Sequence, residues 1–169
     1  MQFELFSKEE GSTFKDIERI DVAEILDLDG NKRFPLLEKN HFILYRTGCK
    51  DSILYSWGNI FPGIYSTKLK KFIKAKLRGA QDYRAWLMVS IKDTGRTFDI
   101  SCHRLVALAF IENLDPKNKI MVNHKDHNKV NYLPENLEWV SRGENTLTEN
   151  VDKGIIKRRE QALREKYNA

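Results

Sequence analysis

The stretch VNHKDHNKVNYLPENLEWVSRGEN, residues 122–145, constrains the chain most, because it crowds two histidines and five asparagines between a strand-former and a helix start. IMVN (120–123) and NLEWV (136–140) read as two short strands, and HKDHNKVNYLPE as the loop between them. Ser141-Arg142-Gly143-Glu144 fits a capping box, so a helix begins near 142. Gly154 is placed to stop it. A strand-loop-strand-helix unit of about 30 residues has too little core to hold a long loop by packing alone. It needs a polar staple, and Asn136, able to donate and accept at once, can tie the loop to backbone. Leu137 and Trp139 then give the pair its apolar face, with Ile120 and Val122 opposite. Two readings compete for the stretch: a polar surface loop, or a small metal site.

At 169 residues the chain suits one compact domain or two small ones. Three of its four histidines, His103, His124 and His127, fall within one window, which is where chemistry is expected. Cys49 and Cys102 form neither a C-x-x-C nor a dense framework, so zinc and a disulfide scaffold are both unsupported and reduced thiols in a cytoplasm fit best. No stretch approaches the roughly 20 apolar residues of a membrane span, and MQFELFSKEE lacks a signal-peptide apolar region. The net charge of +5 is uneven: residues 1–50 hold 8 Lys and Arg against 10 Asp and Glu, and the remainder 21 against 14. A basic partner surface therefore lies after residue 50 and suggests a polyanion such as nucleic acid.

Upstream, AEILDLDGNKRFPLL reads as two apolar runs about an Asp29-Gly30 turn and HFILYR (41–46) as a strand, so a β-rich beginning is expected. An amphipathic helix near FKDIERIDVAEIL is the alternative. FPGIYSTKLKKFIKAKLRGA (61–80) carries six basic residues, Lys68, Lys70, Lys71, Lys74, Lys76 and Arg78, and no acid, with Tyr65 and Phe72 interleaved. Such a run supplies phosphate contacts, or is a solvated face. YRAWLMVSI (83–91) alternates, with Tyr83, Ala85, Leu87, Val89 and Ile91 on one face, and KDTGR turns it toward TFDI as a hairpin. SCHRLVALAF follows as an apolar helix with Ser101 as N-cap and an end at Asn113 to Pro116. The tail IIKRREQALREKYNA spaces Ile156, Leu163 and Tyr167 as a basic amphipathic helix.

Adjacent strand residues point to opposite faces, so Asn123 and His124 share one site only where the chain leaves the strand, and Lys125-Asp126-His127-Asn128 makes that departure. Asn145, one turn into the next helix, can point at the same place. Amide oxygens suit a hard cation such as Mg²⁺ that keeps waters and takes substrate phosphate. An imidazole with an ordinary pKa of ~6.5 accepts a proton from water near neutrality. The combination fits phosphodiester hydrolysis, although two asparagines leave the cation's charge uncompensated by protein.

At these residues the chain resembles a known family. HRLVALAF, VNHKDHNKVN and ENLEWVSRGENT, in that order, are similar to the HNH endonucleases, in particular the phage and intron-encoded homing type with a His-Asn-Asn site. ILYSWGNIF through KKFIKAKLRG and the YRAWLMVSI hairpin resemble the DNA-binding module that often precedes it. The resemblance implies an α+β chain, with a β-rich N-terminal DNA-binding region followed by a ββα-metal nuclease module. Its divisions are a β-rich region of unassigned role at 1–53, a hairpin-containing DNA-binding module at 54–100, the nuclease module at 101–154 and a basic helix at 155–169. It implies His124 as general base, Asn136 fixing the loop, and Asn123 and Asn145 holding one divalent metal, Mg²⁺ or else Mn²⁺, with no zinc. The products are 5′-phosphate and 3′-hydroxyl ends, the partner is double-stranded DNA, and a monomer in a bacterial host's cytoplasm, phage-encoded, is favoured. Beside the basic run, Arg104, Lys125, His127 and Lys129 are expected at phosphate, while His103 and Trp139 are structural. Asn123 stands where an aspartate often occurs, His127 where a glycine is common, and Thr148 where a histidine often follows. A DNA-binding regulator that keeps the fold without cleaving is the rival function, and an RNA-directed protein a second.

Overall fold

The computed structural model describes residues 17–50, 60–78, 86–93 and 95–167. Four antiparallel strands come first: β1 (Arg19–Asp21), β2 (Phe42–Cys49), β3 (Phe61–Ser66) and β4 (Lys71–Phe72), paired in chain order. Between β1 and β2 the apolar runs fold back on each other through a Leu26↔Lys32 bridge, and Gly30 takes φ +83°, which only glycine adopts cheaply. The alternative of a helix near FKDIERIDVAEIL does not form over the described part, where β1 runs straight into a 3₁₀ turn at Val22–Glu24. The buried carboxylate of Asp21 explains the turn, since it accepts from the backbone amides of Ala23 and Asn40 and so caps it.

A second antiparallel sheet follows, of β5 (Lys76–Arg78), β6 (Trp86–Asp93) and β7 (Arg96–Ser101). Its hairpin matches the alternating pattern: Val89 and Ile91 are buried, Val89 faces Ile100 across the pair, and Gly95 at φ +76° turns the chain. Tyr83 and Ala85, read onto the same face, lie outside the described residues. Helix α1 (Cys102–Phe110) drives Leu105, Val106, Ala109 and Phe110 into the interior, each large apolar side chain contributing about 1.5–3 kcal/mol. Ser101 precedes it with extended backbone but makes no side-chain cap, because its Oγ bonds to Nδ1 of His103 at 2.8 Å instead.

The last unit is a two-stranded sheet, β8 (Met121–His124) with β9 (Leu137–Val140), followed by α2 (Arg142–Tyr167). Both strands start one residue later than the apolar pattern predicts. For β9 the reason is Pro134, which opens a 3₁₀ turn through Asn136 and holds that residue off the strand. The capping box forms, with the Ser141 amide donating to Glu144 Oε2 at 2.7 Å and the Glu144 amide to Ser141 Oγ at 3.2 Å. The expected stop at Gly154 is overturned, and one helix runs through the boundary drawn between 154 and 155. An interior glycine costs only about 1 kcal/mol relative to alanine, and nothing beyond it breaks the helix before Tyr167.

A single apolar cluster joins all three sheets and α1, from Val22, Phe34 and Leu44 through Phe61, Ile91 and Leu105 to Tyr132 and Leu137. Among the described residues, strands and two α-helices are thus segregated rather than alternating, an α+β arrangement. Among the described residues no helix is long and apolar enough to cross a membrane.

Candidate active site

The loop between β8 and β9 is held from one position. Asn136 donates from Nδ2 to Asp126 Oδ1 at 2.9 Å and to the Asn131 carbonyl at 2.8 Å, while its Oδ1 accepts from the Asp126 amide at 3.1 Å. Its own carbonyl takes the Lys125 amide at 2.8 Å. Asp126 completes the loop by accepting from the Asn128 amide and from Asn131 Nδ2, each at 2.8 Å. Partial burial raises the Asp126 pKa, but the bonds from Asn131, Asn128 and Asn136 and the nearby His124 outweigh it, and the carboxyl is held below its ordinary value. His127 takes φ +60°, so the loop turns sharply straight after His124.

Register decides which side chains share a face. Val122 pairs with Trp139 and His124 with Leu137, whereas Asn123 pairs with Glu138, so the two sets lie on opposite faces of the hairpin. Trp139 is buried and donates from Nε1 to the Ile111 carbonyl just past α1, which fixes the first set as the inward one. His124, the last residue of β8, is 7% exposed, and its ring centroid lies 5.2 Å from that of His103 on α1. Burial, together with the charges of His124, Arg104 and Lys129, lowers the His103 pKa from its ordinary value to about 3, so this neighbour stays neutral at physiological pH. On the other face Asn123 donates from Nδ2 to Glu138 Oε1 at 2.8 Å. Asn145 sits half-buried in the first turn of α2, its amide bonded to the Ser141 carbonyl at 3.0 Å, and α2 packs against β8.

The donor chemistry around Asn123 fits a hard cation. Glu138 engages the NH₂ end of the amide, which leaves Oδ1 as the end available to accept or ligate. Among the described residues no three His, Cys, Asp or Glu side chains are grouped to hold a metal ion. Glu138 escaped the sequence reading, although alternation in Leu137-Glu138-Trp139 turns it toward Asn123.

The expected phosphate contacts divide. Lys68, Lys70, Lys71, Lys74 and Lys76 are exposed on the turn after β3, on β4, on the link that follows it and on β5, and none has a carboxylate within ion-pair distance among the described residues. Tyr65 and Phe72, read as interleaved with them, instead pack edge to face with each other and with Tyr45. Arg78 is exposed but bonded to Asp99 at 2.7 Å. Lys125 reaches the Glu135 carbonyl at 3.1 Å, His127 is exposed and Lys129 half-buried. Arg104, also expected at phosphate, is half-buried. Its guanidinium is turned inward, over Trp139 at 5.1 Å, bonded to the Ile120 carbonyl and 3.6 Å from Asp27, partners that lie too far along the chain for local pattern to reveal.

No family model matches the chain. Over 84 residues, half of its length, it is 39% identical to an uncharacterized HNH endonuclease of Acanthamoeba polyphaga mimivirus, covering 24% of that protein. It is 38% identical over 79 residues to the DNA endonuclease I-HmuI of Bacillus phage SP01, covering 47% of this chain and 42% of that one. With the H-N-H endonuclease F-TflII of Escherichia phage T5 the identity is 29% over 91 residues, 54% of this chain and 45% of the other. The chain thus spans less than half the length of these relatives. A solved structure described as DNA binding and cleavage by the HNH homing endonuclease I-HmuI superposes on 90% of this chain and 68% of its own, with TM-score 0.55 at 22% identity, which is a likeness of fold. By sequence over about half its length and by fold over most of it, the chain is similar to HNH endonucleases.

Proposed function

We propose that the chain hydrolyses phosphodiester bonds of double-stranded DNA in a divalent-metal-dependent reaction of the homing type, leaving 5′-phosphate and 3′-hydroxyl ends. The observation that carries this reading is the loop stapled by Asn136, which stops β8 at His124 and swings the chain away from that imidazole. His124 is the general base, taking the proton of the attacking water. A neutral His103 beside it braces the ring without adding a positive charge that would lower its proton affinity. Asn123 and Asn145 would hold the ion through their amide oxygens at the rim where β8 ends, since the register turns Asn123 to the face away from His124 and the phosphate must bridge the two. Mg²⁺, or Mn²⁺ in its place, supplies stabilisation of the charge developing on phosphate and leaving oxygen.

Lys68, Lys70, Lys71, Lys74, Lys76, Lys125, His127 and Lys129 contact the DNA backbone, and Arg78 joins them once released from Asp99. The sheets before α1 grip the duplex, and the unit after it cuts. The work is done by a monomer in the host cytoplasm, where the buried thiols of Cys49 and Cys102 stay reduced. Incubating the purified chain with supercoiled plasmid and Mg²⁺ tests the reading. Wild type nicks or cuts, EDTA abolishes the activity, and His124→Ala lowers the rate about 10²–10⁴-fold with DNA affinity retained. Equal cleavage by His124→Ala removes the mechanism. Binding without nicking at any Mg²⁺ or Mn²⁺ concentration removes the function and leaves a DNA-binding regulator.

A further inference from the structure

Two amide ligands bring no negative charge to a divalent cation, and an amide can turn either its oxygen or its NH₂ toward the ion. Only the oxygen ligates. The structure meets both difficulties with one residue that the pattern of histidines and asparagines does not include. Glu138 lies directly across the hairpin from Asn123, on the face away from His124, and its Oε1 accepts from Asn123 Nδ2 at 2.8 Å. An ionised carboxylate has acceptors only, so it can bond the NH₂ end and no other. The rotamer with the oxygen turned to Glu138 would set two acceptors against each other. Both residues are half-buried, and the flanking pairs, Val122 with Trp139 and His124 with Leu137, fix the register that keeps them opposed.

We propose that Glu138 is a positioning residue for the metal site: it locks the Asn123 amide with Oδ1 outward as ligand and sets a full negative charge one hydrogen bond behind it. Asn123 and Glu138 together then act as a carboxylate ligand split over two strands, with the ligating oxygen on one and the charge on the other. The inference rests on Asn123 being a metal ligand, as proposed above. Partners of this kind, which orient a ligand without touching the ion, typically change metal affinity about 10–100-fold when removed.

Mn²⁺ alone is the probe, with free Mn²⁺ followed by electron paramagnetic resonance as it is titrated into the full chain, and melting temperature measured alongside. Glu138→Ala, which loses both the acceptor and the charge, weakens Mn²⁺ binding about 10-fold or more. Glu138→Gln keeps an acceptor for the amide and loses the charge, so its weakening is smaller. The exchanged pair Asn123→Asp with Glu138→Gln moves the charge onto the ligand and reverses the hydrogen bond. It binds Mn²⁺ at least as tightly as wild type. A merely structural role would lower the melting temperature and leave Mn²⁺ affinity unmoved. Mn²⁺ affinity within about two-fold of wild type in a folded Glu138→Ala overturns the role of Glu138. If Asn123→Ala and Asn145→Ala still lose binding in that case, the metal site itself stands. If those variants also bind as wild type does, or wild type binds no Mn²⁺, the site proposed above falls together with this inference.

Discussion

His103 shows how much a single half-buried imidazole can decide. It is bonded to Ser101 and set against His124, and its pKa is lowered to about 3 in the folded chain against an ordinary value of 6.5. The unfolded chain therefore binds a proton between those values that the folded chain refuses. Stability from this residue is complete above pH ~6.5 and falls by about 1.4 kcal/mol for each unit the pH drops, until it levels near the folded value. Urea unfolding at a series of pH values checks this, because His103→Gln should lack the share of the slope that wild type shows between about pH 6 and 4. The place of His103 in the first turn of an apolar helix was legible in the sequence. Its bond to Ser101 was not, since the standard expectation for that serine is a helix cap. At Arg104 a basic side chain beside a nucleic-acid motif suggests phosphate, and only the fold shows its contacts with Asp27, Ile120 and Trp139.

At the scale of elements, local pattern carried furthest where chemistry and periodicity agreed. The alternation of the β6–β7 hairpin, the capping box at Ser141 and the apolar face of α1 each appear where the residues place them. The polar loop stayed open between two readings because its fate turned on bonds among Asp126, Asn131 and Asn136, and single asparagines in a sequence do not say which will meet. The end of α2 was lost for the opposite reason, an interior glycine being too mild a breaker to stop a helix. Tight packing is also invisible in the sequence at Gly63 on β3. A Cβ built there would lie 2.4 Å from the Cβ of Cys49 and 2.8 Å from its Sγ, on the neighbouring strand. Gly63→Ala must push β2 and β3 apart and is expected to cost about 1–3 kcal/mol, read as a lower denaturant midpoint at unchanged m-value.

Over the whole molecule, the division into a DNA-binding module and a nuclease module was drawn from motif order, and one apolar interior runs through described residues of both. Phe61 of β3 meets Tyr132 of the stapled loop with ring centroids 5.2 Å apart, and Arg46 of β2 lies over Phe110 and 3.6 Å from Glu135. These contacts link residues distant along the chain, beyond the reach of any local pattern. A fragment of residues 101–167 would expose the faces of Leu105, Val106, Phe110 and Tyr132 that the first two sheets cover. It is expected to give no cooperative thermal transition, whereas the full chain melts in one step by both circular dichroism and tryptophan fluorescence. The shared interior also has a geometric meaning. On the proposed function, handle and blade would be a single rigid casting, so that the shape of the protein sets the spacing between the base pairs held and the bond broken, and every cut is expected at the same offset from the bound site.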